Sequence, residues 1–542
     1  MTYNLLDERW IPVRRKSGAS DWIAPWQIAE TDDPPVALTA PRADFDGALV
    51  QFLIGLLQTA YAPVDESTWR KRLIPPEPDT LRKAFDVHRD AFHLDGDGPR
   101  FMQDLTLKAG DAKNVLINEL LIDSATGKTV EQNADVFNKR WDRPAFGTPA
   151  AAMTLLTLML NAPAGGRGHR TSLRGGGPLT TVLLGETLWL TGWLNVLPTV
   201  DFDSSAGNGS LEKPENIFPW LAKTRTSENG EETGPERMHP LQHFWATPRR
   251  IRLQWNGKNG TCMMTGLEGP LIMAASVKSH GANYKGTFLH SLTPYIEPKP
   301  DESPGSKKLS TDGLPYRDWP MYSLGSDKAT PAKVIRWMSE EDRWRALSDK
   351  GLAPPRLLAF GYSMEKAKAE AWFSGLAPLV PIPADRARFV DVVSRAVQGA
   401  DEIRDTAQRQ VRKAIARRAE DVDFSSTTPI QVERSFWSMT ERDFFVLVDD
   451  LHRLVTEMAR EEAVNARLEE WAGVLQDAAK SLFSEHSQER GEFAATDIAR
   501  VSRAWNELLR FTSLRNPNLR KAFGLMIEVP EKKPPTRGKR QS

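Results

Sequence analysis

The chain has 542 residues, long enough to bury at least one large core and to make about two to four domains. Lysine plus arginine and aspartate plus glutamate each total 71, so the net charge is zero and any surface that attracts an anion must be a local one. The lone cysteine, Cys262, excludes a disulfide framework and a four-cysteine zinc site, and favours a reduced, cytoplasmic setting.

The opening MTYNLLDERWIPV has no basic segment followed by an apolar one, and no run approaches about eighteen apolar residues, so neither secretion nor a membrane span is expected. Asn4 to Val13 reads as an opening strand. In Asp44 to Ala60, Leu49, Phe52, Leu53, Leu56 and Leu57 fall at helical spacing and mark a core face. Glu66 to Phe92 reads as helical with a break at Pro75-Pro76, and Phe101-Met102-Gln103 opens an irregular region. Asp123 to Phe146 is polar and aperiodic. Phe137, Asn138, Lys139 and Arg140 stand there beside Trp141 and Arg143. Such a loop is either disordered or functional, and interleaved rings and cations suit a strand-binding surface, because rings stack on bases while cations pair with phosphates.

Asn161 to Thr181, NAPAGGRGHRTSLRGGGPLTT, places six glycines among Arg167, His169, Arg170 and Arg174. It reads either as a plain connection or as a backbone-rich seat for an anion, since glycine permits close approach and arginine pairs with phosphate. A helix from Ala150 to Leu160 precedes it, and strand-like runs, Leu179 to Leu184 and Thr187 to Leu194, follow. That order is the reverse of a phosphate-binding P-loop, and His169-Arg170-Thr171 stands where Gly-Lys-Ser/Thr would be needed.

Val182 to Val196 and Arg249 to Trp255 read as strands, with an exposed excursion from Phe202 to Met238 between them. Leu271 to Trp344, which holds Lys278, Lys285, Lys307 and Lys308, reads as irregular structure on a sheet-containing body. Leu357 to Tyr362 is a buried strand, Ser363 to Lys368 a polar turn, and Ala369 to Val380 strand-like or amphipathic. At Pro381-Ile382-Pro383 helical periodicity takes over. Phe389 to Ile415 predicts one long helix. A second starts near Ser438 with Glu441 completing a capping box, a third spans Ala463 to Phe483, and a fourth Thr496 to Phe511. The expected fold is therefore α+β: a large mixed domain over 1–380 with sheets and helices, a four-helix bundle over 384–512, and an extension, 513–542, ending in a basic disordered tail. On the first bundle helix Arg409, Arg412, Lys413 and Arg417 form a stripe that is either a solvated face or a track for a phosphate backbone.

No HExxH, GxSxG, Walker A or paired CxxC motif occurs, and carboxylates form no recognisable acid/base pair. His239 and His243 are separated by Pro240, which disfavours a shared helical face. No metal, cofactor or catalytic residue is expected.

NLLDERWIPV at the start, Phe101-Met102-Gln103, the TSLRGGGPLTT block at Thr171 to Thr181, WLNVL at Trp193 to Leu197 and HSLTPY at His290 to Tyr295 together resemble, in order, the CasA family. This is the large subunit of the type I-E CRISPR surveillance complex, Cascade. The resemblance implies a non-catalytic subunit at the crRNA 5′ end that recognises the protospacer-adjacent motif (PAM) of double-stranded target DNA, helps open the duplex for R-loop formation and docks the helicase-nuclease. Its implied partners are the crRNA and the backbone, small and crRNA-end-capping subunits, with no membrane. The matching minor-groove loop is Ala164, Gly165, Gly166, Arg167 and Gly168. Arg167 departs from the glycine-richest members, favouring either a narrow A·T groove or a phosphate. Phe137, Asn138, Lys139 and Arg140 match the loop that contacts crRNA and target. The PAM-reaching lysine matches Lys278 or Lys285. Glu365, Lys366 and Ala367 match a wedge hairpin, with Lys366 where the family carries glutamine, and also fit an ordinary turn. Two other classes remain open: an enzyme holding a phosphorylated small molecule at the glycine loop, and a structural oligomerisation subunit using tryptophan-rich surface.

Overall fold

Apolar residues surround the axis of the segment that begins at Ala43, and in the computed structural model it forms helix α1 (Ala43–Ala60), buried along most of its length. The structure describes residues 2–108, 110–124, 144–166, 168–202, 213–286, 288–298, 304–365, 368–415, 427–487 and 495–525. The chain divides into two units, Met1–Leu314 with Met321–Pro381, and Pro315–Pro320 with Ile382–Ser542.

In the first unit Phe52 of α1 is the hub of an aromatic cluster. Trp10, Phe92, Phe101 and Trp245 meet its ring edge-to-face, with centroids 5.2, 5.9, 6.0 and 5.9 Å away. Each such pair contributes about 0.5–1.5 kcal/mol beyond area burial. Strand β1 (Ile11–Arg15) lies between β2 (Ser20–Ile23) and β3 (Pro35–Leu38). The opening strand is thus shorter and later than expected, because the Asn4 side chain accepts from Leu6 N–H and the Trp10 indole donates to the Leu5 carbonyl, folding 4–10 into a turn.

A second sheet joins β4 (Lys113–Leu116), β5 (Phe146–Gly147), β7 (Arg250–Thr261) and β8 (Glu268–Lys278), with β8 pairing to the other three. A third carries β6 (Thr180–Leu184) against β12 (Arg356–Glu365), which forms a long hairpin with β13 (Lys368–Pro378). A small sheet of β9 (Tyr295–Ile296), β10 (Gly305–Ser306) and β11 (Ala329–Thr330) completes the unit. Helix α2 (Thr148–Asn161) packs on α1 and leads into the glycine block.

Two expectations fail here. Thr187 to Leu194 is no strand but helix α3 (Leu188–Trp193), capped by the Thr187 hydroxyl on Leu190 N–H at 3.2 Å. Its Trp189 and Trp193, one turn apart, stack at 5.3 Å, an i, i+4 pair that only the helix allows to meet on one face. The described part of the presumed excursion, from Lys213 to Met238, is partly core: Phe218 and Trp220 are buried, and the Trp220 indole donates to the Ala91 carbonyl at 2.7 Å.

The second unit is helical. α4 (Arg386–Ile415) touches α5 (Thr427–Thr456), α6 (Glu461–Ser487) and α7 (Ala495–Thr512). Ser438 and Glu441 do not start a helix; α5 runs through them, because Val432 and Phe436 extend the buried stripe upstream with no breaker between. Pro315–Pro320 lends this unit two rings: Tyr316 stacks on Phe444 at 4.2 Å, its hydroxyl 3.0 Å from Thr440 Oγ1, and Trp319 meets Phe445 at 5.7 Å. A further helix, α8 (Pro517–Ala522), is followed by Phe523, fully buried against Gly399 of α4, where a methyl group would lie 2.2 Å from the ring. None of the described helices is long and apolar enough to cross a membrane. Phe523→Ala should lower the stability of this unit by about 3–5 kcal/mol, read as a drop in its denaturant midpoint, whereas Val446→Ala on the exposed side of α5 should stay within about 0.5 kcal/mol.

Candidate nucleic-acid interface

The glycine block is clasped at its base. Ser172 N–H returns to the Ala162 carbonyl at 3.0 Å, its hydroxyl donates to the Gly175 carbonyl at 2.6 Å, and Gly177 N–H reaches the Asn161 carbonyl at 3.5 Å. Arg174 points inward, contrary to its expected place among the ligand-facing cations. Its guanidinium donates to Thr180 at 3.0 Å, Thr293 at 2.9 Å and Gln51 at 2.6 Å, and its carbonyl accepts from Ser306 and Lys308. Burial pushes Arg174 down to about 10, still charged at neutral pH, and burial beside that charge brings Lys308 down to about 7.

Above this base the crest faces outward. Ala164, Gly165 and Gly166 are exposed and Gly168 is half-buried, while Arg167 lies outside the described residues. Gly165 N–H donates to the His169 carbonyl at 3.3 Å and His169 N–H to the Gly166 carbonyl at 3.2 Å, which closes a tight turn. Gly166 and Gly168 take φ of +80° and +81°, the left-handed region where a side chain is strained. Among the described residues the Gly166 amide meets no protein acceptor. At Gly168 the carbonyl accepts from His280 N–H at 2.6 Å, and a methyl group there would lie 3.0 Å from that nitrogen.

Cations surround the crest. Arg249, at the entry to β7, donates to the Pro163 carbonyl, and burial pushes it down to about 10. Arg170 donates to Ser227 Oγ at 2.9 Å, and Ser227 in turn binds Gly281 and His280 through their carbonyls. Lys278 ends β8, pairs in register with Arg250 and is two residues from His280, which places it beside the loop. Lys285 is exposed, and its N–H binds the Thr233 carbonyl. Two acids nearby, Asp104 and Glu228, both pair with Arg250.

The other expected residues are spread more widely. Phe137, Asn138, Lys139 and Arg140, together with Lys366, Ala367 and Arg417, lie outside the described residues. Glu365 is exposed and pairs with Lys368 across the hairpin. The turn-proximal end of β12 abuts the glycine block: a methyl group on Gly177 would lie 2.6 Å from the Tyr362 carbonyl, and the Tyr362 hydroxyl donates to Asp44 at 2.6 Å. Arg409 and Lys413 share an exposed side of α4, and Arg412 beside them turns inward. Lys413 is ion-paired to Glu507 at 2.5 Å. Sequence reading missed Arg249, His280 and Lys113 as neighbours of the loop. Only strand register brings them there, and no local motif marks them. Among the described residues no group of three or more His, Cys, Asp or Glu could hold a metal ion.

The architecture is thus a two-unit α+β protein whose mixed unit carries an exposed glycine crest among cations. Residues 4–482 match the family model for CRISPR-associated protein Cse1, and the chain belongs to that family. Similar solved structures include CasA of Thermus thermophilus, at 17% identity over 94% of this chain and 99% of that one with a TM-score of 0.71. Cse1 of Acidimicrobium ferrooxidans, at 17% identity, covers 97% of this chain and 99% of its own with a TM-score of 0.67. A chain of a CRISPR RNA-guided surveillance complex, at 15% identity, covers 94% of this chain and all 100% of its own, again with a TM-score of 0.67. Gly168→Ala should speed hydrogen exchange at the His280 amide by about tenfold or more, because the added methyl breaks the 2.6 Å hydrogen bond; Gly166→Ala, whose methyl meets nothing within 4 Å, should leave that amide protected.

Proposed function

We propose that the chain is the large, non-catalytic subunit of a type I-E RNA-guided surveillance complex, working in the cytoplasm, and that the crest from Ala164 to Gly168 enters the minor groove of PAM-bearing duplex DNA. Its partners in this reading are the crRNA, the backbone, small and crRNA-end-capping subunits, target DNA and a helicase-nuclease recruited after R-loop formation. Membership of the Cse1 family and the likeness to a chain of a surveillance complex support the setting.

The observation that carries the groove assignment is the exposure of Ala164, Gly165 and Gly166 on a turn whose Gly166 amide meets no acceptor among the described residues. The minor groove is narrow and presents mainly acceptors, so an uncommitted amide on backbone without side chains can donate where a bulky residue would collide. Base pairing by the guide would supply most of the sequence information, and this loop only a short degenerate reading. Placement beside Gly168 favours Lys278 over Lys285 as the lysine that reaches the same duplex. The β12–β13 hairpin, in which Tyr362 and Met364 near the end of β12 pack on the glycine block, is the candidate wedge through Glu365, Lys366 and Ala367.

Gly166→Pro should abolish target capture by the reconstituted complex while the chain still folds and assembles, because proline cannot adopt a φ of +80° and has no N–H. Electrophoretic mobility shift with a PAM duplex checks this, and undiminished capture would refute the groove assignment. Lys278→Ala should weaken capture by about tenfold and reduce the salt slope by about one, with Lys285→Ala changing both far less.

A further inference from the structure

The shoulder of the crest holds charge that the groove reading does not use. His169 and Arg249 face each other across Gly165: a methyl group on that glycine would lie 2.7 Å from His169 Cβ and 2.9 Å from Arg249 Nη1. His280 closes the third side, with a methyl on Gly168 3.0 Å from its Nε2. Arg249 Nε and His280 Nδ1 are buried and meet no protein partner among the described residues, an uncommon state for a strong donor and an imidazole nitrogen. His280 also sits at φ +61°, a conformation that side chains avoid and that persists only where the surroundings enforce it.

The charged groups acting on His169 come from three strands or their ends: Arg249 from β7, His280 from beyond β8, and Lys113 from β4. Arg249 and Lys113 are cations. Burial and these neighbours hold the His169 imidazole below its usual value, so it is mainly neutral at pH 7 in the free protein. An anion placed among them would reverse the balance.

We propose that Arg249, His169 and His280, flanked by Lys278, form a seat for one backbone phosphodiester at the edge of the groove that the crest enters, and that filling it draws one proton from solvent onto the His169 imidazole. The inference rests on the groove assignment and adds a ligand group to it. A ring nitrogen of His169 takes the proton, the phosphate keeps its charge, and the new imidazolium donates to a phosphate oxygen. A folded-state pKa that rises on binding means binding takes up protons, so affinity is greatest at low pH and falls as pH rises through the bound-state value.

The test uses the reconstituted complex and a PAM duplex, titrated calorimetrically at about pH 7 in two buffers of different ionisation enthalpy. Wild type should show uptake approaching one proton and tighter binding at about pH 6 than at about pH 8. His169→Gln should remove the uptake and weaken binding by about tenfold at the lower pH, and a duplex with neutral methylphosphonate linkages flanking the PAM should do the same to wild type. Uptake unchanged in His169→Gln, or absent in wild type, overturns the seat. Inorganic phosphate alone shifting the His169 imidazole resonance as far as the duplex does would also overturn it, by assigning the site to free anions. Loss of capture in Gly166→Pro with no proton linkage anywhere would leave the groove assignment standing without the seat, whereas retained capture in Gly166→Pro would remove the assignment on which the seat depends.

Discussion

A buried guanidinium without a carboxylate holds the glycine block in place. Arg174 is desolvated and satisfied only by neutral oxygens, those of Gln51 on α1, Thr180 at the start of β6 and Thr293 near β9. Taking a charge out of water costs several kcal/mol, and hydrogen bonds to a charged group return about 1.5–3 kcal/mol each, so the arrangement persists only while all three partners hold their positions. Ser306 and Lys308 on its carbonyl fix the backbone as well. The base of the loop is therefore over-determined, and its crest can stay outside the protein.

That division explains what the family-like motifs do in this chain. The tryptophan of the opening motif and the phenylalanine of Phe101-Met102-Gln103 pack on Phe52. Gln103 accepts from Leu253 N–H on β7, and Asn195 of the WLNVL motif binds both the N–H and the carbonyl of Leu183 on β6. Thr293 of HSLTPY completes the Arg174 site. The stretches that carry the resemblance serve the fold, and the crest they support is poor in side chains.

Much of this was legible in advance for physical reasons. Long helices declared themselves by periodicity: Phe389, Val392, Val393 and Ala396 are all buried on α4. The first strand of the hairpin was legible from the buried Leu357 to Tyr362, but it runs on through Ser363 to Glu365, where a polar turn was expected. Short elements were harder, and α3 was mistaken for a strand because a six-residue helix and a half-buried strand share one apolar run. At the site, glycine density marked the crest. Arg174 and Arg170 look alike in sequence, yet one is buried and the other lies at the loop's edge, since only tertiary packing determines which way each side chain turns. Arg249 and His280 gave no local signal at all: register across β7 and β8 carries them to Gly165 and Gly168.

In the proposed reading, exposed amides at the crest and cations on its shoulder would divide recognition between the groove floor and the rails that border it. The former would give a coarse reading of base pairs, the latter an attraction that fades with salt. The most direct test of the groove assignment alters the duplex and leaves the protein unchanged. Replacing PAM guanine by inosine, or adenine by 2,6-diaminopurine, removes or adds the 2-amino group on the minor-groove floor, whereas 7-deazapurines change only the major groove. If the crest reads the minor groove, capture by the reconstituted complex will respond to the 2-amino changes and ignore the 7-deaza ones. Sensitivity to the 7-deaza substitutions with indifference to the 2-amino group would contradict it.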